Sequence, residues 1–229
     1  MQPPAVNPHM VFLAKSRAGK DHLIRWGLLP YWPLARVVVL ITKPGADDVT
    51  WQGYGNVIGA RELPPGFGRG TDGTPRYVIR MPPGQRQEAK DLLDQLAAEG
   101  ECIVVIGDTA RLVESDERGG LGCEGRLSNI MRDGANNGLS VWACANSSKW
   151  AASGLRDQAA AVWVGWSGSE AYDDFAKIAG IEPKTDARSA LDVMRPHWWL
   201  YTDHLDGPLC WGVTTAPGAG WCSEAWPAA

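Results

Sequence analysis

Apolar positions along the chain fall into short runs and spaced stripes that alternate. Residues 9–14 form an apolar run, residues 15–20 a polar loop, and Leu23, Ile24, Gly27 and Leu28 then recur at helical spacing up to Pro30. That order predicts strand, loop and helix. Residues 36–42 contain five consecutive apolar residues, Val37 to Ile41, bounded by Lys43, Pro44 and Gly45. A run without alternation marks a strand buried on both faces and hence a parallel sheet. Residues 43–76 are loop-rich, with residues 54–58 a candidate short strand, and residues 77–81 read as a strand. Ala89, Leu92, Leu93, Leu96 and Ala97 lie on one helical face, ended by Gly100. Residues 102–106 are a second buried strand, Cys123, Leu127, Ile130 and Met131 a helical stripe closed at Gly134, and residues 139–145 and 161–165 two further strands. Tyr172, Phe175, Ala176 and Ala179 predict a helix stopped by Gly180. Ala187, Ala190, Leu191 and Met194 predict another, stopped by Pro196. Residues 197–202 and 209–213, around Asp206-Gly207, read as a hairpin. The alternation predicts an α/β domain with a largely parallel central sheet flanked by helices and a C-terminal hairpin.

Composition narrows the functional classes. With 27 Gly and 16 Pro among 229 residues the chain is rich in turns, but it stays below the roughly 25–30% that marks low complexity. A net charge of −4 lacks the overall basic character of a protein that grips nucleic acid along a static face. Any DNA contact must be local, and residues 61–90 supply one basic stretch, with Arg61, Arg69, Arg76, Arg80, Arg86 and Lys90 against Glu62, Asp72 and Glu88. From residue 197 onward the charged residues are Asp203, Asp206 and Glu224, without Lys or Arg. No apolar run approaches the roughly 18 residues of a membrane span, and the first residues lack the pattern of an export signal. A cytoplasmic protein with no membrane partner is expected. The five cysteines include no C-x-x-C pair, which predicts reduced thiols and no zinc site. Burial in the core is the expected role of most of the 12 Trp.

Two segments are placed to carry chemistry. Ala14-Lys15-Ser16-Arg17-Ala18-Gly19-Lys20-Asp21 lies between the first strand and the first helix. A phosphate-binding loop needs small residues whose N–H groups point at phosphate oxygens, a helix start behind them, a Lys for the β and γ phosphates and a hydroxyl for Mg²⁺. This chain keeps Gly19-Lys20, but Ala14 stands for the first Gly of G-x-x-x-x-G-K-[ST] and Asp21 for the hydroxyl. The plain alternative is a solvated turn. The second segment is the strand ending in Gly107-Asp108-Thr109-Ala110-Arg111-Leu112. A carboxylate at the C-terminal end of a buried strand is where an open sheet holds a metal shell; the alternative is an Asp that caps the next turn.

Gly19-Lys20, the Asp108-Thr109-Ala110-Arg111-Leu112 strand end, the helix from Leu127 to Arg132 with Asp133-Gly134, and the strand reaching Asn146-Ser147-Ser148 resemble the successive motifs of FtsK/HerA-type P-loop ATPases, with degenerate Walker motifs. The similarity runs from about residue 8 to about residue 202. It implies a P-loop fold, ATP and Mg²⁺ as ligands, and a motor that moves or packages double-stranded DNA as a homo-oligomeric ring, such as a hexamer, acting at a capsid or packaging vertex if viral. It also implies an ATPase-like domain over residues 1–202, with residues 203–229 completing the hairpin and forming an acidic, Trp-rich tail. By the same resemblance Ser16, Arg17, Ala18, Gly19, Lys20, Asp21 and His22 bind nucleotide, Asp21 and Asp108 hold the metal, and Asn146 is the polar sensor of water or γ-phosphate. Arg126 or Arg132 would act on a neighbour's nucleotide.

Two departures bear on catalysis. Thr109 stands where the resemblance expects the catalytic Glu, and Ala135 where it expects the Arg of a Gly-Arg pair. A second register puts Gly107 at the metal-binding Asp and Asp108 at the Glu. In either register one carboxylate is missing, which would slow hydrolysis without preventing binding. Two other functions remain open: a phage-type nucleoside monophosphate kinase, whose Gly-Lys-Asp loop this one also resembles and whose arginine-rich lid residues 61–90 would supply, and a P-loop module that serves assembly without catalysis.

Overall fold

A computed structural model describes residues 9–16, 18–42, 49–67, 75–81, 84–115, 120–146, 158–165, 198–203, 210–214 and 221–225. Its strands are β1 (Met10–Leu13), β2 (Val37–Ile41), β3 (Asn56–Gly59), β4 (Arg76–Arg80), β5 (Ile103–Ile106), β6 (Ser140–Ala145), β7 (Ala161–Gly165), β8 (Trp198–Asp203), β9 (Cys210–Thr214) and β10 (Trp221–Ala225). They form one sheet in the order β10-β9-β8-β7-β1-β6-β5-β2-β4-β3. From β7 to β3 every neighbouring pair is parallel; β8, β9 and β10 add an antiparallel flank. The hairpin of β8 and β9 agrees with the sequence pattern, and β10 extends it. The two helices expected over residues 172–179 and 187–194 lie outside the described residues.

The unbroken apolar runs become strands buried on both faces because helices cover both sides of the sheet. Along β1, β2 and β5 alternate residues divide between two cores. Met10, Phe12, Val37, Val39, Ile103 and Val105 pack with Leu23, Ile24, Leu28, Trp51 and Trp142 on one face. Val11, Leu13, Val38, Leu40, Val104 and Ile106 pack on the other with helix α2 (Arg86–Glu99) and helix α4 (Glu124–Gly134), through Leu92, Leu93, Leu96, Leu127, Ile130 and Met131. The expectation for Trp holds at Trp51, Trp142, Trp163 and Trp199, all fully buried. Cys102, Cys123 and Cys144 are buried free thiols, and burial pushes the Cys102 thiol up to about 12.

Several boundaries differ from the sequence pattern for local reasons. Helix α1 (Lys20–His22) runs on through a π-helical turn, Leu23–Leu28, and a 3₁₀ turn, Leu29–Tyr31, so the backbone widens just after the loop. Wide turns of this kind recur at functional sites. Helix α4 ends at Gly134, as its stripe predicts, and a 3₁₀ turn, Ala135–Asn137, follows it to Gly138, whose φ of 73° is left-handed. Gly134 is small because a Cβ there would lie 3.1 Å from Leu139 Cδ2. The short strand expected over residues 54–58 sits at Asn56–Gly59, on the sheet edge, and helix α3 (Thr109–Val113) had no signal in the periodicity.

Candidate active site at the ends of β1, β5 and β6

In a parallel sheet the C-terminal ends of the strands share one edge, so the segments after β1, β5 and β6 meet there. The segment after β1 is the glycine-lysine loop. Gly19 has φ 89°, a left-handed conformation that favours glycine, and it turns the chain into α1. Ala18 N–H donates to the Lys15 carbonyl at 3.1 Å, closing the turn. Ala14, at the first-glycine position of the loop, continues the sheet by donating to the Ala145 carbonyl at 3.2 Å. Among the described residues only Glu101 is a non-glycine with positive φ. The backbone at 14 therefore asks for no glycine, which accounts for the first departure from the loop pattern.

Lys20 is 6% exposed, and a buried ammonium must be fully hydrogen-bonded. Its three donors meet three oxygens: Nζ donates to the Ala14 carbonyl at 2.6 Å, the Lys15 carbonyl at 3.1 Å and Asn146 Oδ1 at 2.9 Å. The last bond spans 126 residues of sequence and joins the loop to the tip of β6. Two residues named from separate motifs are thus in direct contact. Ser16 is exposed at the loop crest, Arg17 lies outside the described residues, and His22 is half-buried in α1.

The tip of β5 divides three ways. Gly107 follows Val105 on the α1 face, and a Cβ added to it would lie 3.7 Å from Asp21 Oδ1. The Asp21 carboxylate also accepts a bond from Trp51 Nε1 at 3.2 Å. Asp108 precedes α3 at its cap position, yet its carboxylate caps no helix N–H, contrary to the turn-cap alternative. Its Oδ1 is buried without a hydrogen-bond partner in the protein, while its backbone carbonyl accepts from Thr42 Oγ1 at 2.9 Å. Thr109 is fully buried, and its hydroxyl donates to the Cys144 carbonyl at 2.7 Å. Thr109, which the first register places at the catalytic base, has its side chain in the core, where it ties α3 to β6. The second register places Asp108, whose Oδ1 is buried and unpartnered, at the base instead.

The arginines expected to act elsewhere are spread out. Arg132, in the last turn of α4, pairs with Asp133 at 3.1 Å and also reaches Asn129, on the exposed side of a helix that leads to the start of β6, the opposite sheet edge. Arg126 pairs with Asp94 at 2.9 Å. In the basic stretch, Arg61 pairs with Glu88 at 2.7 Å, Arg76 lies over the Tyr54 ring at 5.0 Å and Arg86 lies against Gly122. Arg61 and Arg80 line one pocket and Arg76 another. Trp51 and Thr42, which brace the two aspartates, were missed in the sequence. Only the parity of β5, which sets Gly107 on the α1 face, carried any signal of the Asp21 contact.

The residues present fit a Mg²⁺ ion, which is held by one or two carboxylates together with substrate phosphates and water. Asp21 is such a donor, and the unpartnered buried oxygen of Asp108 could serve as a second one or be left to act on water. Among the described residues no group of three or more His, Cys, Asp or Glu gathers into an all-protein metal site.

No family model and no curated protein matches the chain. Solved structures do. The genome packaging NTPase B204 from Sulfolobus turreted icosahedral virus 2, in complex with sulfate, superposes with a TM-score of 0.64 at 9% identity over 90% of this chain and 95% of that one. B204 has also been captured with AMPPCP, AMP and ATP-gammaS. B204 of Sulfolobus turreted icosahedral virus, a DNA-packaging ATPase, gives 0.61 at 12% identity over 92% and 98% of the two chains. VirB4 of Thermoanaerobacter pseudethanolicus gives 0.60 at 9% identity over 86% of each. The chain therefore has the P-loop fold of the packaging NTPases and VirB4-type ATPases, as its sequence resemblance to the FtsK/HerA type implies.

Proposed function

We propose that this protein binds ATP with Mg²⁺ and acts as a motor that moves or packages double-stranded DNA. The observation that carries the reading is the bond between Lys20 and Asn146, which unites the phosphate-binding lysine with the sensor at one sheet edge. In the resting site Lys20 is held by two loop carbonyls and the Asn146 amide. When nucleotide enters, the lysine exchanges these neutral acceptors for β and γ phosphate oxygens, and charge-assisted bonds of that kind are the stronger ones. The Asn146 amide is thereby released to orient water or the γ-phosphate. Asp108, with a buried oxygen that no protein group satisfies, takes the proton of the attacking water. The metal supplies neutralisation of charge on the transferred phosphoryl group.

DNA as the partner is supported by the likeness to B204, a DNA-packaging ATPase; assembly into a ring, action in the cytoplasm or at a capsid vertex, and a role for Arg132 or Arg126 on a neighbour's nucleotide belong to this proposal through the sequence resemblance. No described helix is long and apolar enough to cross a membrane. A second reading, a P-loop module that binds nucleotide but turns it over poorly, is favoured by Thr109, whose burial leaves Asp108 as the one carboxylate at the tip of β5.

Phosphate release measured with ATP and Mg²⁺, with and without double-stranded DNA, tests the proposal. Turnover that rises with DNA and falls with salt supports the motor, since phosphate contacts release counterions. ATP binding without turnover selects the module. Conversion of a nucleoside monophosphate to its diphosphate, independent of DNA, overturns both in favour of a kinase.

A further inference from the structure

One departure in the loop and one at the tip of β5 meet at the same place. The loop position after the lysine, where a hydroxyl is expected, holds a carboxylate, Asp21; the position at the tip of β5, where a carboxylate is expected, holds Gly107. These two positions face each other, with a Cβ on Gly107 falling 3.7 Å from Asp21 Oδ1. We infer that the metal-binding carboxylate has changed places: Asp21 supplies it from the loop side, and Gly107 is the room that the exchange requires. The inference rests on the nucleotide reading above and deepens it by dividing the labour of the two aspartates. Asp21 belongs to the metal shell, and Asp108 is left to act on water.

Three observations support the exchange. Carboxylates at both positions would sit within a few ångströms, where each disfavours ionisation of the other, so an Asp at 21 is compatible with glycine at 107 and poorly compatible with aspartate there. Gly107 has φ outside the left-handed region, and its hypothetical Cβ meets the Leu40 carbonyl only at 3.5 Å, so neither backbone geometry nor crowding demands a glycine. Proximity to Asp21 is the remaining constraint. Finally, Asp21 is oriented: Trp51, 1% exposed, donates its indole N–H to Oδ1 at 3.2 Å, and a carboxylate accepts about four such bonds, so this one fixes its direction without exhausting its capacity. Trp51 is then a positioning residue for the metal site, as outer-shell partners of ligating carboxylates are elsewhere.

The test compares wild type with Asp21→Ser, Gly107→Asp and the double variant Asp21→Ser/Gly107→Asp, which restores a hydroxyl after the lysine and a carboxylate at the strand tip. The readout is the affinity for a fluorescent non-hydrolysable ATP analogue in EDTA and in Mg²⁺, together with the electron paramagnetic resonance spectrum of Mn²⁺ bound with the analogue. In wild type Mg²⁺ should tighten binding. Asp21→Ser should reduce that enhancement by about ten- to hundredfold while binding in EDTA persists. Gly107→Asp alone should weaken binding in Mg²⁺ and in EDTA, because it crowds two carboxylates beside the phosphates. The double variant should regain the enhancement. Asp21→Asn, which keeps an oxygen for Trp51, gives the same answer should Asp21→Ser fail to fold. Full Mg²⁺ enhancement in Asp21→Ser or Asp21→Asn, or a double variant no better than the worse single one, overturns the exchange while nucleotide binding stands. Wild type that binds no analogue in either buffer overturns the nucleotide reading and this inference with it.

Discussion

The loop after β1 and the tip of β5 face one site, yet they are constrained in different ways. In the loop the groups that matter are saturated from within: Lys20 has three oxygens around Nζ and Gly19 has the backbone only glycine adopts readily. At the tip of β5, three successive residues point to three environments. Gly107 lies toward Asp21, Asp108 has a buried oxygen without a partner, and Thr109 is locked to Cys144 in the core. A saturated lysine is stable until a stronger acceptor arrives, whereas an unsatisfied carboxylate oxygen is a standing cost that a ligand or water relieves. On the proposed function, binding would rest on the loop and turnover on the tip of β5, and substitutions in the two regions should divide accordingly.

The largest effect expected is on turnover. Asp108→Asn should reduce phosphate release by about 10²- to 10⁴-fold, the worth of a positioned general base, while ATP affinity changes little. Equal turnover in wild type and Asp108→Asn breaks the division by showing that the tip of β5 has no catalytic part. Thr109→Glu sharpens it: with the side chain in the core, the new carboxylate should lower stability and give no gain in rate. A rate increase would instead restore the register in which Thr109 occupies the place of the base.

Lys20→Ala comes second, acting on binding. Each bond from the ammonium to phosphate contributes about 1.5–3 kcal/mol, so affinity for ATP should fall by about ten- to hundredfold. Asn146→Ala should leave affinity near wild type and lower turnover. Loss of affinity equal to that of Lys20→Ala would mean that Asn146 mainly holds the loop in shape. Fluorescence titration of an ATP analogue separates the cases.

How much of this was legible in the sequence follows from the range of the interactions. The sheet was legible because uninterrupted runs such as Val37 to Ile41 and Ile103 to Ile106 have few alternatives to strands buried on both faces. Gly19-Lys20 was legible because left-handed backbone and a phosphate lysine are local demands. The register of Asp108 was not, since Asp-Thr and Gly-Asp offer the same spacing and only the turn of the chain into α3 decides which side chain enters the core. Nor was the part played by Trp51: it reaches Asp21 across 30 residues, through a loop-rich stretch without periodicity. The end of α4 at Gly134 was legible by residue type, while the close approach of Leu139 to that glycine was not.

Thr109 supplies the third prediction, on stability alone. Thr109→Val removes the hydroxyl but keeps the shape, leaving the Cys144 carbonyl without that donor in a buried setting. Unfolding free energy should drop by about 1–3 kcal/mol, with ATP affinity unchanged. A variant as stable as wild type, measured by urea denaturation, would show that the bond to Cys144 contributes nothing net, and that burial alone directs this side chain.

The smallest effect lies at the opposite sheet edge and should leave the site untouched. His9, 5% exposed, accepts a bond from the Val141 N–H through Nδ1 at 2.9 Å, which requires a neutral ring. Burial pushes its pKa below the ordinary histidine value, and the Met131 backbone offsets this only in part. As pH falls through about 6.5 the unfolded chain therefore takes up a proton before the folded one, and stability declines until the folded ring also titrates. Above that pH the group has no effect on the slope. His9→Gln, whose amide oxygen accepts the same N–H without titrating, should flatten the decline between about pH 5 and 7. Urea midpoints collected across that range should give parallel lines for the two proteins if His9 is charged in the fold, and diverging lines if it is neutral.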